Sequence, residues 1–251
     1  QPRAAAHFDP PHAQPHAASF GRRPVVVDLS AMWAGPLCAR LLERCGADVV
    51  KVELAGRPDG ARRGHPEFWR WLHDGQRFET VDPGTRRGLD RLNRLVEGAD
   101  VVIESSRPRA LRQLGVDAES LSGDGRTWIS ITGYGREPAN EALVAFGDDA
   151  AVAGGLTATD SRGDPVFCGD AIADPLAGIV AAAAGARAVA TGGGLVSVAL
   201  AEVAAWAASP GAGADTEADA EAGGETGAEA DAEAGADNDR AVPPAPLPAW
   251  V

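Results

Sequence analysis

Two valine-rich runs, Val25-Val-Val-Asp-Leu-Ser30 and Asp48-Val-Val-Lys-Val-Glu53, limit the fold more than any other feature of the chain. Runs that are apolar without alternation suit strands covered on both faces, as in parallel sheets. The residues between them carry helix signals. Gly35-Pro36 opens a helix, where the missing proline N–H has no partner to lose. Leu37, Leu41 and Leu42 give that helix an apolar face, and Gly46 ends it. Residues 24–53 therefore form one strand–helix–strand unit of about the usual 30 residues.

The alternation continues. A helix is expected at about Thr85–Glu97, a strand at Asp100–Glu104, a short helix after Pro108 and a strand at Thr127–Thr132 before the turn Gly133-Tyr134-Gly135. A long Ala-rich helix at Ile172–Val189, a strand at Leu195–Ala199 and a helix at Leu200–Ala207 follow. This order predicts an α/β fold, a Rossmann-like, mainly parallel sheet covered by helices. Such sheets bind ligands at the carboxyl ends of their strands. The Ser30–Pro36 loop lies at one of those ends, where helix-start amides can meet phosphate.

Charge is uneven along the chain. Of 36 acidic and 23 basic residues (net charge −13), ten acids and one arginine fall in residues 207–251, leaving 26 acids and 22 bases, a net of −4, in residues 1–206. A near-neutral body argues against a nucleic-acid surface. No uninterrupted apolar stretch of about 18 residues occurs and no charged-then-apolar leader opens the chain, so neither membrane spanning nor export is expected. Cys38, Cys45 and Cys168 lack metal-type spacing and read as reduced thiols of a cytoplasmic protein. Four segments are expected: a linker or disordered arm at 1–23, a folded domain at 24–206, an acidic disordered linker at 207–240 and a Pro-rich extended segment at 241–251. His7, His12 and His16 belong to the arm and read as residues of a solvated tail; no metal site is expected.

Several chemistries lack their residues. There is no Gly-x-Gly-x-x-Gly fingerprint, no Gly-Lys-Ser/Thr loop and no Gly-x-Ser-x-Gly elbow. Gly192-Gly-Gly194 precedes a strand and reads as a turn, while His65 and His73 read as surface residues. The carboxylates Asp170 and Asp174 lead into the most apolar helix. A carboxylate there is stabilised by the helix dipole, so Asp174 either caps the helix or performs chemistry, and spacing leaves both open.

Four segments, in order, resemble the family III CoA-transferases, the group that includes formyl-CoA transferase, carnitine CoA-transferase and 2-methylacyl-CoA racemase. They are Val26–Pro36, Leu41–Glu53, Ala99–Pro108 with Leu111 and Leu114-Gly115, and Asp174-Pro-Leu-Ala-Gly178; the likeness spans about residues 24–206. The resemblance implies the large domain of a transferase that moves CoA between an acyl-CoA thioester and a small carboxylic acid. Asp174 would be the nucleophile, passing through a mixed anhydride and an aspartyl-CoA thioester. Ala31, Met32, Trp33 and Ala34 would hold CoA, and Arg77 and Arg112 would approach it. CoA is then a substrate, no cofactor is tightly bound, and two chains form a homodimer, interlocked in this family.

The chain departs from the family pattern. Leu54, Gln76 and Gln113 stand where basic residues are common, with Arg109 and Arg112 as replacements for the last. Asp148 stands where the racemase branch has a histidine, and the Gly147–Gly155 stretch is short. Family members are usually longer and carry a smaller second domain. A non-catalytic CoA-binding or dimerisation module is therefore the alternative reading, and a 2-methylacyl-CoA racemase the third. The acyl groups themselves are not legible.

Overall fold

The computed structural model describes residues 22–209 apart from residue 124. The arm up to residue 21 with its three histidines, the acidic linker beyond residue 209 and the Pro-rich segment lie outside the described residues. β1 (Val25–Asp28), α1 (Ala34–Arg44) and β2 (Asp48–Leu54) realise the opening unit. Gly46 ends α1 at φ 101°, a left-handed conformation that glycine adopts without steric cost, and lets Ala47 N–H reach Leu42 O at 3.1 Å.

After β2 the chain forms α2 (Pro66–His73), β3 (Arg77–Val81), α3 (Arg86–Glu97) and β4 (Val101–Glu104). Then come α4 (Pro108–Arg112), α5 (Ala118–Leu121), β5 (Thr127–Thr132), α6 (Gly147–Ala153), the strands β6 (Thr157–Thr159) and β7 (Pro165–Phe167), α7 (Ala173–Ala190), β8 (Gly194–Ala199) and α8 (Leu200–Ala208). Six strands form one sheet in the order β3-β2-β1-β4-β5-β8, with every neighbour parallel; β6 and β7 pair separately and antiparallel. The α/β class and the Rossmann-like sheet are as the sequence predicts.

Alternation along each strand feeds two cores. Val26, Ile103, Ile129 and Val198 face α1, α6, α7 and α8, while Val27, Val50, Val102 and Trp128 face α3, α4 and α5. By length and apolarity α7 meets the requirement for a membrane span, unlike the sequence expectation, but its Ala177, Ala181 and Ala184 are buried in the first core. The small residues set how close α7 lies. A Cβ on Gly178 would stand 2.7 Å from Ala34 O, and one on Gly185 would stand 2.3 Å from Ile129 Cδ1.

The strand order reverses beside β1: the chain moves outward to β2 and β3, then returns to place β4 on the other side. The connections leaving β1 and β4 diverge there, with α1 on one face of the sheet and α4 on the other, at the place where sheets of this kind bind ligands. Leu29 N–H donates to Ile103 O at 2.8 Å and Ala31 N–H to Ser105 Oγ at 3.1 Å across it.

Candidate active site

Asp174 is the second residue of α7, and its carboxylate reaches outside its own helix. The backbone N–H groups of Gly147, at the start of α6, and Ala34, at the start of α1, face it and favour its charged form. Three helix N-termini thus converge on one half-buried carboxylate. Ile172 occupies the cap position of α7 and no side chain caps it; Asp174 lies two residues further on. Burial is the largest influence on its ionisation and pushes the carboxyl up to about 6; the two amides pull it down, and the like charge of Asp148 pushes it up. A carboxyl of this kind is still mostly ionised at neutral pH, and more basic than an ordinary one.

The surroundings are built tightly around this contact. A Cβ on Gly147 would stand 2.5 Å from Asp174 Oδ2 and 2.4 Å from Ala171 O. Ala171 has φ 47°, uncommon for a residue with a side chain, and its N–H donates to Asp148 Oδ1 at 2.8 Å. Gly147→Ala is therefore expected to push the carboxylate off its amides and slow any reaction carried by Asp174 by at least about tenfold, given the cost of small misplacements. Initial rates, with thermal melts to verify folding, check this.

Burial also gives Asp174 a signature in stability. The folded protein holds this proton more tightly than the unfolded chain, so stability falls as pH rises from about 4 to about 6. Asp174→Asn is expected to be more stable than the unaltered chain above pH 6 by about 1–2 kcal/mol, partial solvent access reducing the full cost. The gain should vanish as the pH falls towards 4. Urea unfolding at the two ends of this range measures it.

The loop after β1 is fixed by buried charge. Lys51 is fully buried, with Nζ 2.5 Å from Ser30 O, 3.1 Å from Asp28 Oδ2 and 3.4 Å from Asp59 Oδ2. Asp28 Oδ1 accepts from the Ser30 N–H at 2.8 Å and from the Ser30 hydroxyl. Asp59 Oδ1 accepts from Met32 N–H at 2.9 Å and Ala61 N–H at 3.0 Å. Met32 itself has φ 73°. One lysine and two aspartates thereby hold the backbone at Ser30 and Met32 on either side of Ala31. Sequence reasoning missed this trio, although its signal was present: the chain's only lysine stands inside an apolar strand, where an ammonium needs partners.

A second polar cluster closes the carboxyl ends of β4 and β5. Glu104 is buried and its carboxyl is pushed up mainly by burial; Arg136 donates to Glu104 Oε1 at 2.9 Å and Ser130 Oγ at 2.7 Å, and Trp128 Nε1 donates to Glu104 at 3.2 Å. This cluster was also not anticipated.

The other expected site residues are dispersed. Ala31, Met32 and Trp33 lie in the loop between β1 and α1 and Ala34 opens α1; of the four, Ala34 is the one whose amide faces Asp174. Arg77 opens the edge strand β3, two strands from β1, and is exposed. Arg112, on α4, lies 2.6 Å from Glu141 and ties down the loop before α6. His65 is exposed as expected. His73 is a correction: it is buried against Trp69 and Phe78, with Nδ1 2.9 Å from Gln76 Oε1, because α2 folds back over β3. Cys38, Cys45 and Cys168 are free thiols, and among the described residues no cluster suited to a metal occurs.

With this geometry, the family model described as CoA-transferase family III matches residues 24–238. The chain belongs to CoA-transferase family III. Among relatives in this family, it is 33% identical to the succinyl-CoA–D-citramalate CoA-transferase of Chloroflexus aurantiacus, over 62% of this chain and 42% of that one. It is 30% identical to the succinate–glutarate CoA-transferase of Agrobacterium fabrum, over 63% of this chain and 44% of that one. The crystal structure of a CaiB/BaiF family protein from Brucella suis is similar, with a TM-score of 0.65 and 29% identity over 72% of this chain and 53% of that one. The chain thus spans under half the length of these curated relatives.

Proposed function

We propose that the chain, with residues 24–206 as its large domain, transfers CoA from an acyl-CoA thioester to a small carboxylic acid, with Asp174 as the nucleophile. The observation that carries this reading is the Asp174 carboxylate seated on amides from two other helices, in a member of CoA-transferase family III.

An Asp174 carboxylate oxygen attacks the thioester carbonyl carbon; the C–S bond breaks, CoA leaves as its thiolate, and a mixed anhydride remains. The thiolate then attacks Cγ of Asp174 and the donor acid departs as carboxylate, leaving an aspartyl-CoA thioester. An acceptor carboxylate attacks Cγ and expels the thiolate, which takes the acceptor acyl group from the new anhydride and frees Asp174. The amides of Ala34 and Gly147, which hold the resting carboxylate, are the donors available to an oxyanion at Cγ during the attacks on the aspartyl group.

CoA enters along the loop from Ala31 to Ala34. Because the Ala34 amide is at the nucleophile, the thioester lies at the Trp33–Ala34 end and the nucleotide beyond Ala31 and Met32. Arg112 reaches its phosphates only by releasing Glu141, whereas Arg77 approaches from the exposed edge strand β3. The non-catalytic alternative predicts CoA binding with no turnover. A racemase reading is disfavoured by Asp148, which holds the Ala171 amide where a histidine base would be needed. Calorimetric titration of CoA beside a thioester-exchange assay tests the proposal: binding with exchange supports it, and binding without exchange in the folded chain favours the module.

A further inference from the structure

Gly147, Asp148 and Asp149 open α6, and each serves a different target. The Gly147 amide faces the Asp174 carboxylate. Asp149 Oδ2 accepts the Phe146 N–H at 3.1 Å and closes the start of its own helix. Asp148 serves another segment: its Oδ1 accepts the Ala171 N–H at 2.8 Å, 23 residues further along the chain.

Ala171 is held at both of its backbone polar groups. Asp148 takes its N–H, and its carbonyl accepts the Asp174 N–H at 2.9 Å. Its φ of 47° is a conformation that a residue with a Cβ keeps only where the surroundings impose it. The chain reaches Ala171 through residues 161–170, all exposed, among them strand β7. That run contributes no buried side chain, so the hold on Ala171 comes from outside it. The two helix starts are also in close contact there, since a Cβ on Gly147 would stand 2.4 Å from Ala171 O.

We propose that Asp148 is a positioning residue for Asp174: by holding Ala171 in the left-handed conformation, it fixes the first turn of α7 and keeps the Asp174 carboxylate against the Gly147 amide. Its effect on rate rests on Asp174 being the nucleophile. Asp148 also acts through charge. Helices α1, α6 and α8 and strands β5 and β8 pack against α7. They bring Arg40, Glu43 and Arg44 of α1, Asp148 and Asp149 of α6 and Glu202 of α8, while the two strands carry no titratable group. Of these, Asp148 is the group whose charge raises the Asp174 carboxyl. Hold and charge thus oppose one another at Asp174, because a well-placed amide favours the anion and a like charge disfavours it.

Two substitutions separate them. Asp148→Asn removes the charge and keeps an oxygen for the Ala171 N–H; Asp148→Ala removes both. The Asp174 carboxyl is titrated in the full chain by carboxyl-carbon NMR with labelled aspartate, Asp174→Asn assigning its signal. Initial rates are measured with succinyl-CoA as donor and acetate as acceptor. Asp148→Asn should lower the midpoint by roughly half a unit, the order of one neighbouring like charge near a protein surface, and change kcat by less than about threefold. Asp148→Ala should cut kcat at least about tenfold with KM nearly unchanged, and its midpoint should lie above that of Asp148→Asn, because the amide is misplaced. Glycine adopts a positive φ without steric cost, so Asp148→Ala with Ala171→Gly should regain at least about threefold in kcat and bring the midpoint down again. An Asp148→Ala chain with the midpoint of Asp148→Asn and an unaltered kcat overturns the positioning role. A loss that Ala171→Gly leaves unrecovered overturns it too, being the mark of a general weakening of the fold. The NMR titration needs no substrate, so a chain without transfer overturns the proposed function alone, and the midpoints still decide the role of Asp148.

Discussion

Asp174→Asn is expected to lose CoA transfer by at least about four orders of magnitude, as enzymes do when a covalent nucleophile is removed. The side-chain amide oxygen introduced by this substitution can still accept from Ala34 or Gly147, so the three helix starts stay together and CoA binding should persist. The amide has no anionic oxygen with which to attack a thioester. Asp174→Ala is the companion variant, since it removes hydrogen bonding as well and excludes slow reversion of asparagine to aspartate. The pairing of a dead enzyme with a more stable fold above pH 6 distinguishes a functional carboxylate from a structural one. A structural carboxylate would weaken the fold when neutralised. The rate of transfer should also fall below pH 6, as the burial-raised carboxyl of Asp174 takes up its proton.

Lys51→Met carries the second large effect. It removes the one cation between Asp28 and Asp59, two buried carboxylates, and breaking a buried ion network in this way costs about 3–5 kcal/mol. At the usual scaling for a domain of this size, the Tm falls by about 10–15 °C. Replacing Asp28 as well, in Lys51→Met with Asp28→Asn, should recover part of the loss, because one of the stranded charges is gone. Circular-dichroism melts of the single and double variants measure this. A Lys51→Met protein that melts with the unaltered chain would mean that the network contributes nothing net to the fold.

What the sequence made legible follows from burial. Strands β1, β2, β4 and β5 are covered on both faces and so read as apolar runs, while β8, at one edge, buries Val196 and Val198 in the first core and leaves Leu195 exposed. Edge strand β3 has a single neighbour, and its Arg77-Phe-Glu-Thr-Val81 stretch carries no such run. Helix α2, eight residues long with Phe68, Trp69 and Trp71 half-buried and Leu72 and His73 buried, was not anticipated. The short hairpin of β6 and β7 is exposed throughout. Asp174 was found through the resemblance; spacing alone could not separate capping from chemistry, because both put a carboxylate in a first turn. What the fold adds is long-range: the amides of residues 34 and 147 face residue 174. No local pattern encodes that meeting. Arg77 and Arg112 rest on the resemblance alone, since exposed arginines leave no periodic signal; in the structure Arg77 is exposed and Arg112 pairs with Glu141.

Hydroxylamine trapping tests the central claim most directly. The full chain is incubated with an acyl-CoA, treated with hydroxylamine, digested and examined by mass spectrometry. A hydroxamate at Asp174, dependent on the acyl-CoA and absent from Asp174→Ala, is the expected result. Transfer that proceeds with Asp174 unlabelled, or with the label on another side chain, would contradict the account.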